Sequence, residues 1–457
     1  MSLQTRMDGF TAPAQMLQVP LTRGRTFPYP LVHTNWRDEQ RAWSEGAVLF
    51  DQSAHMTDLF ISGPDTLRLL ADTSINSYAG FGPLRAKQHV AVNPDGYVIG
   101  DSIIICLPDG SVNMAGFEYS INWVMYQAEV GDYDVTLSRD EASFVNAQGK
   151  RLFRYELEGP RARAILEDAS SHPMPDIPFF RVGRIEIAGV EVLALNHTMS
   201  GVPGDESSGF ELLGPAHATQ TVIDAIAEAG EEHGLVRGGA LAYISSLAES
   251  GWMGRLVPAI YTGDAMAAYR EWLPETAMEN FGMGMTGSFH PDDVEEYYST
   301  PWDLGYGRLV RFDHEFIGRP ALEQMAGDPP RQKVWLEWDR QDTEALIIRS
   351  ELSEPGAPRL LNPPFTGNRD IVLSGDQAVG VTMSHAFTVN LGRWISLASV
   401  DTDQAVDGNT VEILWGDHDG GRSNPTVPDH APMRIRATVS TTSPAQSARN
   451  LAGAGAR

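Results

Sequence analysis

Residues 239–252 read Gly239-Ala-Leu-Ala-Tyr243-Ile-Ser-Ser-Leu-Ala-Glu249-Ser-Gly-Trp252, which puts a phenol, a carboxylate and an indole into one short run. Rings supply apolar walls and a few polar atoms fix orientation, so this trio suits a pocket for a flat organic molecule. The run follows an amphipathic stretch over 218–231 that predicts a helix. Helical patterns also occur at 36–47, 160–169 and 64–71, the last with Pro64 where a first turn tolerates it. Between them, 88–116 reads as strands around two turn signals, Asn93-Pro-Asp-Gly96 and Pro108-Asp-Gly110, and 185–195 is strand-like. The order is mixed α+β, not a βαβ alternation.

Beyond about residue 330 the pattern changes. Runs at 333–338, 378–383, 394–400, 410–415 and 433–439 read as strands, several of them alternating, with turn residues between. They predict a C-terminal antiparallel β-barrel over 330–440. Residues 1–35 read as an extended N-terminal arm containing Phe27-Pro-Tyr29-Pro30, 36–325 as an α+β region of two interleaved subdomains, and 441–457 as a disordered Ser/Ala/Gly-rich tail.

Composition removes several function classes. The net charge of -26, with no Lys/Arg cluster, argues against a nucleic-acid partner. No apolar run is long enough to span a membrane, and MSLQTRMDGFTAPAQ lacks the apolar core of a signal peptide, so a cytoplasmic protein is expected. The single Cys106 lies in Ser-Ile-Ile-Ile-Cys-Leu, which predicts a buried structural thiol. The twelve histidines do not fall at metal-ligand spacings, so no metal is expected. His418 and His430 sit in Asp/Gly/Pro-rich loops and are expected to face solvent. Gly282-Met-Gly-Met-Thr-Gly287 matches G-x-G-x-x-G, but a polar segment precedes it and His290-Pro291 follows, so it reads as a glycine-rich loop.

Five pieces in order over some 400 residues resemble the folate-binding aminomethyltransferase superfamily. They are Leu49-Phe-Asp-Gln-Ser-Ala-His-Met56, Asn93-Pro-Asp-Gly-Tyr-Val-Ile-Gly-Asp101, Gly204-Asp-Glu206 leading to Gly209-Phe-Glu-Leu212, the Tyr243 run, and Phe312-Asp-His-Glu-Phe-Ile-Gly-Arg319. Within it the chain is most similar to the tetrahydrofolate-dependent aryl O-demethylases of vanillate, 3-O-methylgallate and syringate type. Asn35-Trp-Arg37, Phe50-Asp-Gln52, Glu249-Ser-Gly-Trp252, Pro258-Ala-Ile-Tyr-Thr-Gly-Asp264, Tyr269-Arg-Glu-Trp-Leu-Pro274 and Gly305-Tyr-Gly307 carry that likeness. Tyr243 stands where glycine-cleavage enzymes are Arg-rich.

The resemblance implies transfer of a methyl group from a methoxylated aromatic acid to N5 of tetrahydrofolate. It assigns Tyr243 as the acid for the departing phenolate and His55 as a catalytic neighbour. Tyr29, Gln52, Phe117 and Trp252 become substrate contacts. Glu211 becomes the pterin carboxylate, since a carboxylate accepts two adjacent N–H groups, with Asp101 and Trp252 also on the cofactor side. A tyrosine with its usual pKa of about 10 nearly matches a leaving phenol. Vanillate-type enzymes carry an arginine for the substrate carboxylate where this chain has Phe117. The expected substrate is therefore syringate-like, vanillate-like or a chlorinated methoxybenzoate such as dicamba. Demethylation of a small aliphatic or amine donor, and a non-catalytic folate-binding module, remain open alternatives.

Overall fold

The strand Leu152–Glu158 shows how this chain builds a wall for a site. Side chains alternate between the two faces of a strand. Here Phe153, Tyr155 and Leu157 join a core with Ile165, Leu166, Val222 and Ile226 from the helices Ala162–Ala169 and Thr219–Gly230. Arg154, Glu156 and Glu158 take the opposite face, yet they too are buried. The strand is central in a six-stranded sheet ordered Leu235–Arg237, Ala47–Asp51, Leu152–Glu158, Gly209–Pro215, Val190–Asn196, Val182–Ile187. The Ala47–Asp51 and Leu235–Arg237 pair is parallel; its other pairs are antiparallel. Register sets Glu211 directly opposite Glu156.

These coordinates come from a computed structural model, which describes residues 2–18, 30–143, 145–197, 209–254, 256–352, 356–359, 367–423 and 427–444. A second, antiparallel sheet of five strands runs Ala86–Val92, Val98–Cys106, Val112–Gly116, Thr57–Ser62, Thr136–Asp140. The C-terminal strands close into a six-stranded antiparallel barrel in the order Arg331–Trp338, Arg393–Asp401, Gln377–Thr388, Ile371–Ser374, Thr410–Trp415, Met433–Ser440. Val334, Leu336 and Trp338 fill the barrel, whereas Trp335 points outward into a core shared with Val98, Ala248 and Leu304. The barrel is thus bolted to the α+β region through its outer face.

The extended arm expected at the N-terminus is corrected in part. Leu3–Met7 and Pro13–Gln18 are short helices, and Leu3, Met7, Met16 and Leu17 are buried against Tyr261, Tyr269 and Leu273. Docking of these few apolar side chains makes helices that would be too short to hold alone. Among the described residues no helix is long and apolar enough to cross a membrane. Cys106 is buried. Met285–Thr286, within the glycine-rich run, is followed by a loop and the 3-10 turn Val294–Tyr297, so among the described residues no α-helix opens at the run.

Candidate active site

A cavity of about 980 Å3 is bounded by both sheets, the outer wall of the barrel, the Tyr243 run, the segment 302–309 and Thr441–Ser443. Tyr243 lies on the helix Ala240–Ser245. The first amides of a helix lack partners within it. Here Gly239 N–H donates to Glu39 at 2.8 Å, and those of Ala240 and Leu241 donate to the carbonyls of Pro30 and Leu31. The Tyr243 ring is held edge-on between Phe50 and His55, with centroid distances of 5.2 and 5.1 Å. Gln52 is fully buried behind this wall, and its amide nitrogen lies 2.5 Å from Glu156 and 3.4 Å from the Tyr243 hydroxyl.

Electrostatics follow from that burial. Desolvation, then the Glu156 carboxylate, push the Tyr243 hydroxyl well above the usual 10, against the Gln52 hydrogen bond. Burial and the charges of Arg154 and Lys150 hold the His55 imidazole down to about 4, so it is neutral at pH 7.

Glu211 lines the cavity from the six-stranded sheet, next to Glu156 in register, and is 1 % exposed. Arg154 pairs with it and also reaches Asp58 at 2.9 Å and Asn113 at 2.7 Å. His197 approaches Glu156 and Glu211 at 3.8 and 3.9 Å, its pKa lowered to about 4 by burial and Arg154. The ring of Phe180 meets His197 edge-on at 5.2 Å from a backbone with φ of 57°, a left-handed conformation that is costly for a bulky side chain.

Asp101 lines the cavity from the five-stranded sheet. Its Oδ2 accepts from Gln88 at 2.8 Å and from the Trp252 indole and Tyr306 hydroxyl at 3.1 Å each. Burial still outweighs these bonds and raises its pKa. Phe117 stacks on Trp252 with centroids 6.2 Å apart and planes inclined by 9°.

The structure therefore brings Tyr243, His55, Asp101, Glu211, Phe117 and Trp252 to one cavity. Gln52 supports Tyr243 from behind and does not line the wall. Tyr29 and Gly204-Asp205-Glu206 lie outside the described residues, as does most of the expected disordered tail. The tail's first residues are ordered: Ser443 donates to the Glu249 carbonyl at 2.7 Å.

Glu249, expected beside Tyr243 in the pocket, turns away. Its carboxylate accepts from Trp43 at 2.9 Å, Thr388 at 2.5 Å and Asn390 at 3.0 Å, which ties the helix Trp36–Glu45 to the barrel. His418 is exposed and stacks on His290, but His430 is engaged: its Nε2 accepts the Asp417 N–H at 2.7 Å. Sequence reasoning missed Arg154, Glu156, His197 and Lys333. The one available signal was the Arg154-x-Glu156-x-Glu158 alternation, which also suits an exposed strand face.

The donor set fits a reduced folate. A buried carboxylate lines a roomy cavity whose walls include the rings of Phe117, Phe180, Trp252, Trp302 and Tyr306, which suits a flat heterocycle with adjacent N–H donors. The GCVT N-terminal domain family matches residues 10–254. Syringate O-demethylase from Sphingobium sp. is 39 % identical over 444 residues, covering 96 % of this chain and 95 % of that protein. Sesamin methylene transferase from Sinomonas sp. is 28 % identical over 85 % of this chain and 86 % of its own. An aminomethyltransferase from Exiguobacterium sibiricum is 30 % identical over 85 % and 87 %. The crystal structure of glycine cleavage system aminomethyltransferase T from Bartonella henselae shares the fold, with a TM-score of 0.59 at 15 % identity, covering 89 % of this chain and 88 % of that one. With a domain match over more than half its length and relatives aligned nearly end to end, the chain belongs to the GCVT aminomethyltransferase family.

Proposed function

We propose that this chain demethylates a methoxylated aromatic acid of syringate-like, vanillate-like or chlorinated type, with tetrahydrofolate as methyl acceptor. The chain is an enzyme, related along most of its length to a syringate O-demethylase and a sesamin methylene transferase. The observation that carries the reading is a phenol–imidazole pair, Tyr243 and His55, on the wall of the cavity that Glu211 also lines. Bound tetrahydrofolate supplies N5 as the nucleophile and leaves in its 5-methyl form.

The protein's own residues have three tasks. Glu211 accepts the N–H edge of the pterin, and Asp101, held by three donors, offers a further acceptor on the same cavity. Phe117 and Trp252, stacked on each other, form an apolar wall against the arene and exclude water. Holding nitrogen, methyl carbon and oxygen in line contributes roughly 7 to 11 kcal/mol to lowering the barrier. Tyr243 gives its proton to the departing phenolate oxygen, and it regains one as the attacking amine loses its own, so protons balance.

Burial raises the Tyr243 pKa, which by itself makes it a weaker acid. The leaving phenolate forms in the same desolvated cavity, so its basicity rises too and the transfer stays near balance. Neutral His55 can hydrogen-bond the phenol oxygen or its ring neighbour without repelling Arg154.

The test is anaerobic incubation with tetrahydrofolate and a panel of ring-substituted methoxybenzoates. Phenol released in step with 5-methyltetrahydrofolate is the expected result. Tetrahydrofolate binding without product from any member would reject the enzyme reading in favour of a binding module.

A further inference from the structure

Among the charged side chains that line the cavity, most are internally compensated. Arg154 faces Glu211 and Asp58, and Asp101 takes three neutral donors. Lys333 differs. Strand alternation sends Val334 and Leu336 into the barrel and leaves Lys333 and Trp335 on its outer face, toward the cleft.

The Lys333 ammonium donates to the Gly251 carbonyl at 3.0 Å and lies 4.8 Å from the Trp335 ring centroid. Among the described residues no carboxylate pairs with it. Its charged neighbour is another cation, Arg308, an exposed side chain on the same cavity wall. Burial and Arg308 push the ammonium down to about 8. In a chain of net charge -26, two cations that line one cavity, neither with a carboxylate partner among the described residues, make a local well for an anion.

We infer that Lys333 and Arg308 form the carboxylate-binding site of this cleft, fixing the acid group of a bound ligand at its barrel wall. A lysine already held by one carbonyl keeps two N–H donors for a carboxylate. The position is informative. Gly251 precedes Trp252, and Gly305, which packs against the Lys333 stem, precedes Tyr306. Both following residues donate to Asp101. An acid group on Lys333 therefore abuts the two segments that shape the centre of the cavity.

The inference deepens the demethylase reading, which supplies two acids: the arene carboxylate and the glutamyl carboxylates of the folate tail. Four binding measurements separate them: a methoxybenzoate against its methyl ester, and tetrahydrofolate against a tetrahydropterin that lacks the tail. Lys333→Met should weaken one acid by roughly tenfold to hundredfold and leave its uncharged partner within about threefold. The pair affected names the ligand.

Lys333→Arg should keep most of the preference. Arg308→Ala, a change at an exposed side chain, should lose roughly two- to fivefold in the same direction. In the unmodified protein the preference for the acid should fade as pH rises through about 8, where Lys333 loses its charge, and in Lys333→Met it should be flat. Equal weakening of acid and uncharged partner, or no weakening of either acid, overturns the inference. An unmodified protein that prefers the acids but turns over no methoxyarene sinks the demethylase reading and leaves this site standing.

Discussion

Replacing Tyr243 by Phe removes one oxygen atom from the proposed reaction centre and little else. The ring keeps its packing, because Phe50 and His55 touch its edges and faces at 5.2 and 5.1 Å. The Gln52 amide sits 3.4 Å from the hydroxyl, a long and weak contact. Loss of a hydroxyl hydrogen bond typically costs about 1 kcal/mol, so the fold should persist. The chemical step loses its proton donor, which corresponds to roughly 10² to 10⁴ in rate, or about 2.7 to 5.5 kcal/mol of barrier.

Single-turnover release of phenol, with tetrahydrofolate affinity measured in parallel, reads both. The loss should shrink for arenes whose phenols are more acidic, since a better leaving group needs the proton less. In the unmodified enzyme Tyr243 should stay protonated past pH 10, because burial raises its pKa. It should therefore add no basic limb to the pH–rate profile below that value. Turnover within about threefold of the unmodified enzyme, or a loss equal across all leaving groups, would refute the role of proton donor.

Further outcomes follow from the surroundings. Glu211→Ala should weaken tetrahydrofolate by roughly tenfold or more by equilibrium titration, and unchanged affinity would contradict its pterin role. Glu249→Ala should destabilise the fold by about 3 kcal/mol or more in urea unfolding, because it strands the Trp43, Thr388 and Asn390 donors in the interior. Gly251→Ala should also destabilise, since Gly251 has φ of 77° and a Cβ there would sit 2.2 Å from the Trp335 ring. His55 and His197 have folded pKa values near 4 against 6.5 unfolded, so the unfolded chain binds more protons between those values. Stability should fall as pH drops from about 6.5 to 4, by at most on the order of 3 kcal/mol per histidine, and substitution of either should flatten the decline.

Much of this architecture was legible because local pattern and tertiary setting agree. The barrel strands alternate visibly, as in Lys333-Val-Trp-Leu-Glu-Trp338, and the barrel interior takes the expected apolar set. The helix over 219–230 shows its apolar stripe, and Val222 and Ile226 are buried. What was hidden depends on contacts distant in sequence. Arg154, Glu156 and Glu158 alternate with apolar residues as an exposed strand would. They are buried because the second sheet brings Asp58 and Asn113 onto Arg154 and because Gln52 covers Glu156. The pairing of Arg154 with Asp58 and Glu211 makes burial tolerable, and no local signal reports it.

Glu249 misled for the opposite reason. Its neighbours Tyr243 and Trp252 do face the cavity, but the helix Leu247–Ser250 turns Glu249 toward Trp43 and the barrel loop. The helices Leu3–Met7 and Pro13–Gln18 owe their form to docking on Tyr269 and its neighbours, which short polar segments cannot advertise.

In the proposed reaction, pterin, methyl ether and the Tyr243 hydroxyl converge in one cleft. A crystal structure of the Tyr243→Phe protein with tetrahydrofolate and a methoxybenzoate reads that convergence directly. The pterin edge should lie on Glu211, with the ether oxygen against residue 243 and the methyl carbon between oxygen and N5. A pterin bound away from Glu211, or an ether oxygen turned from residue 243 with no path for in-line transfer, would contradict that convergence.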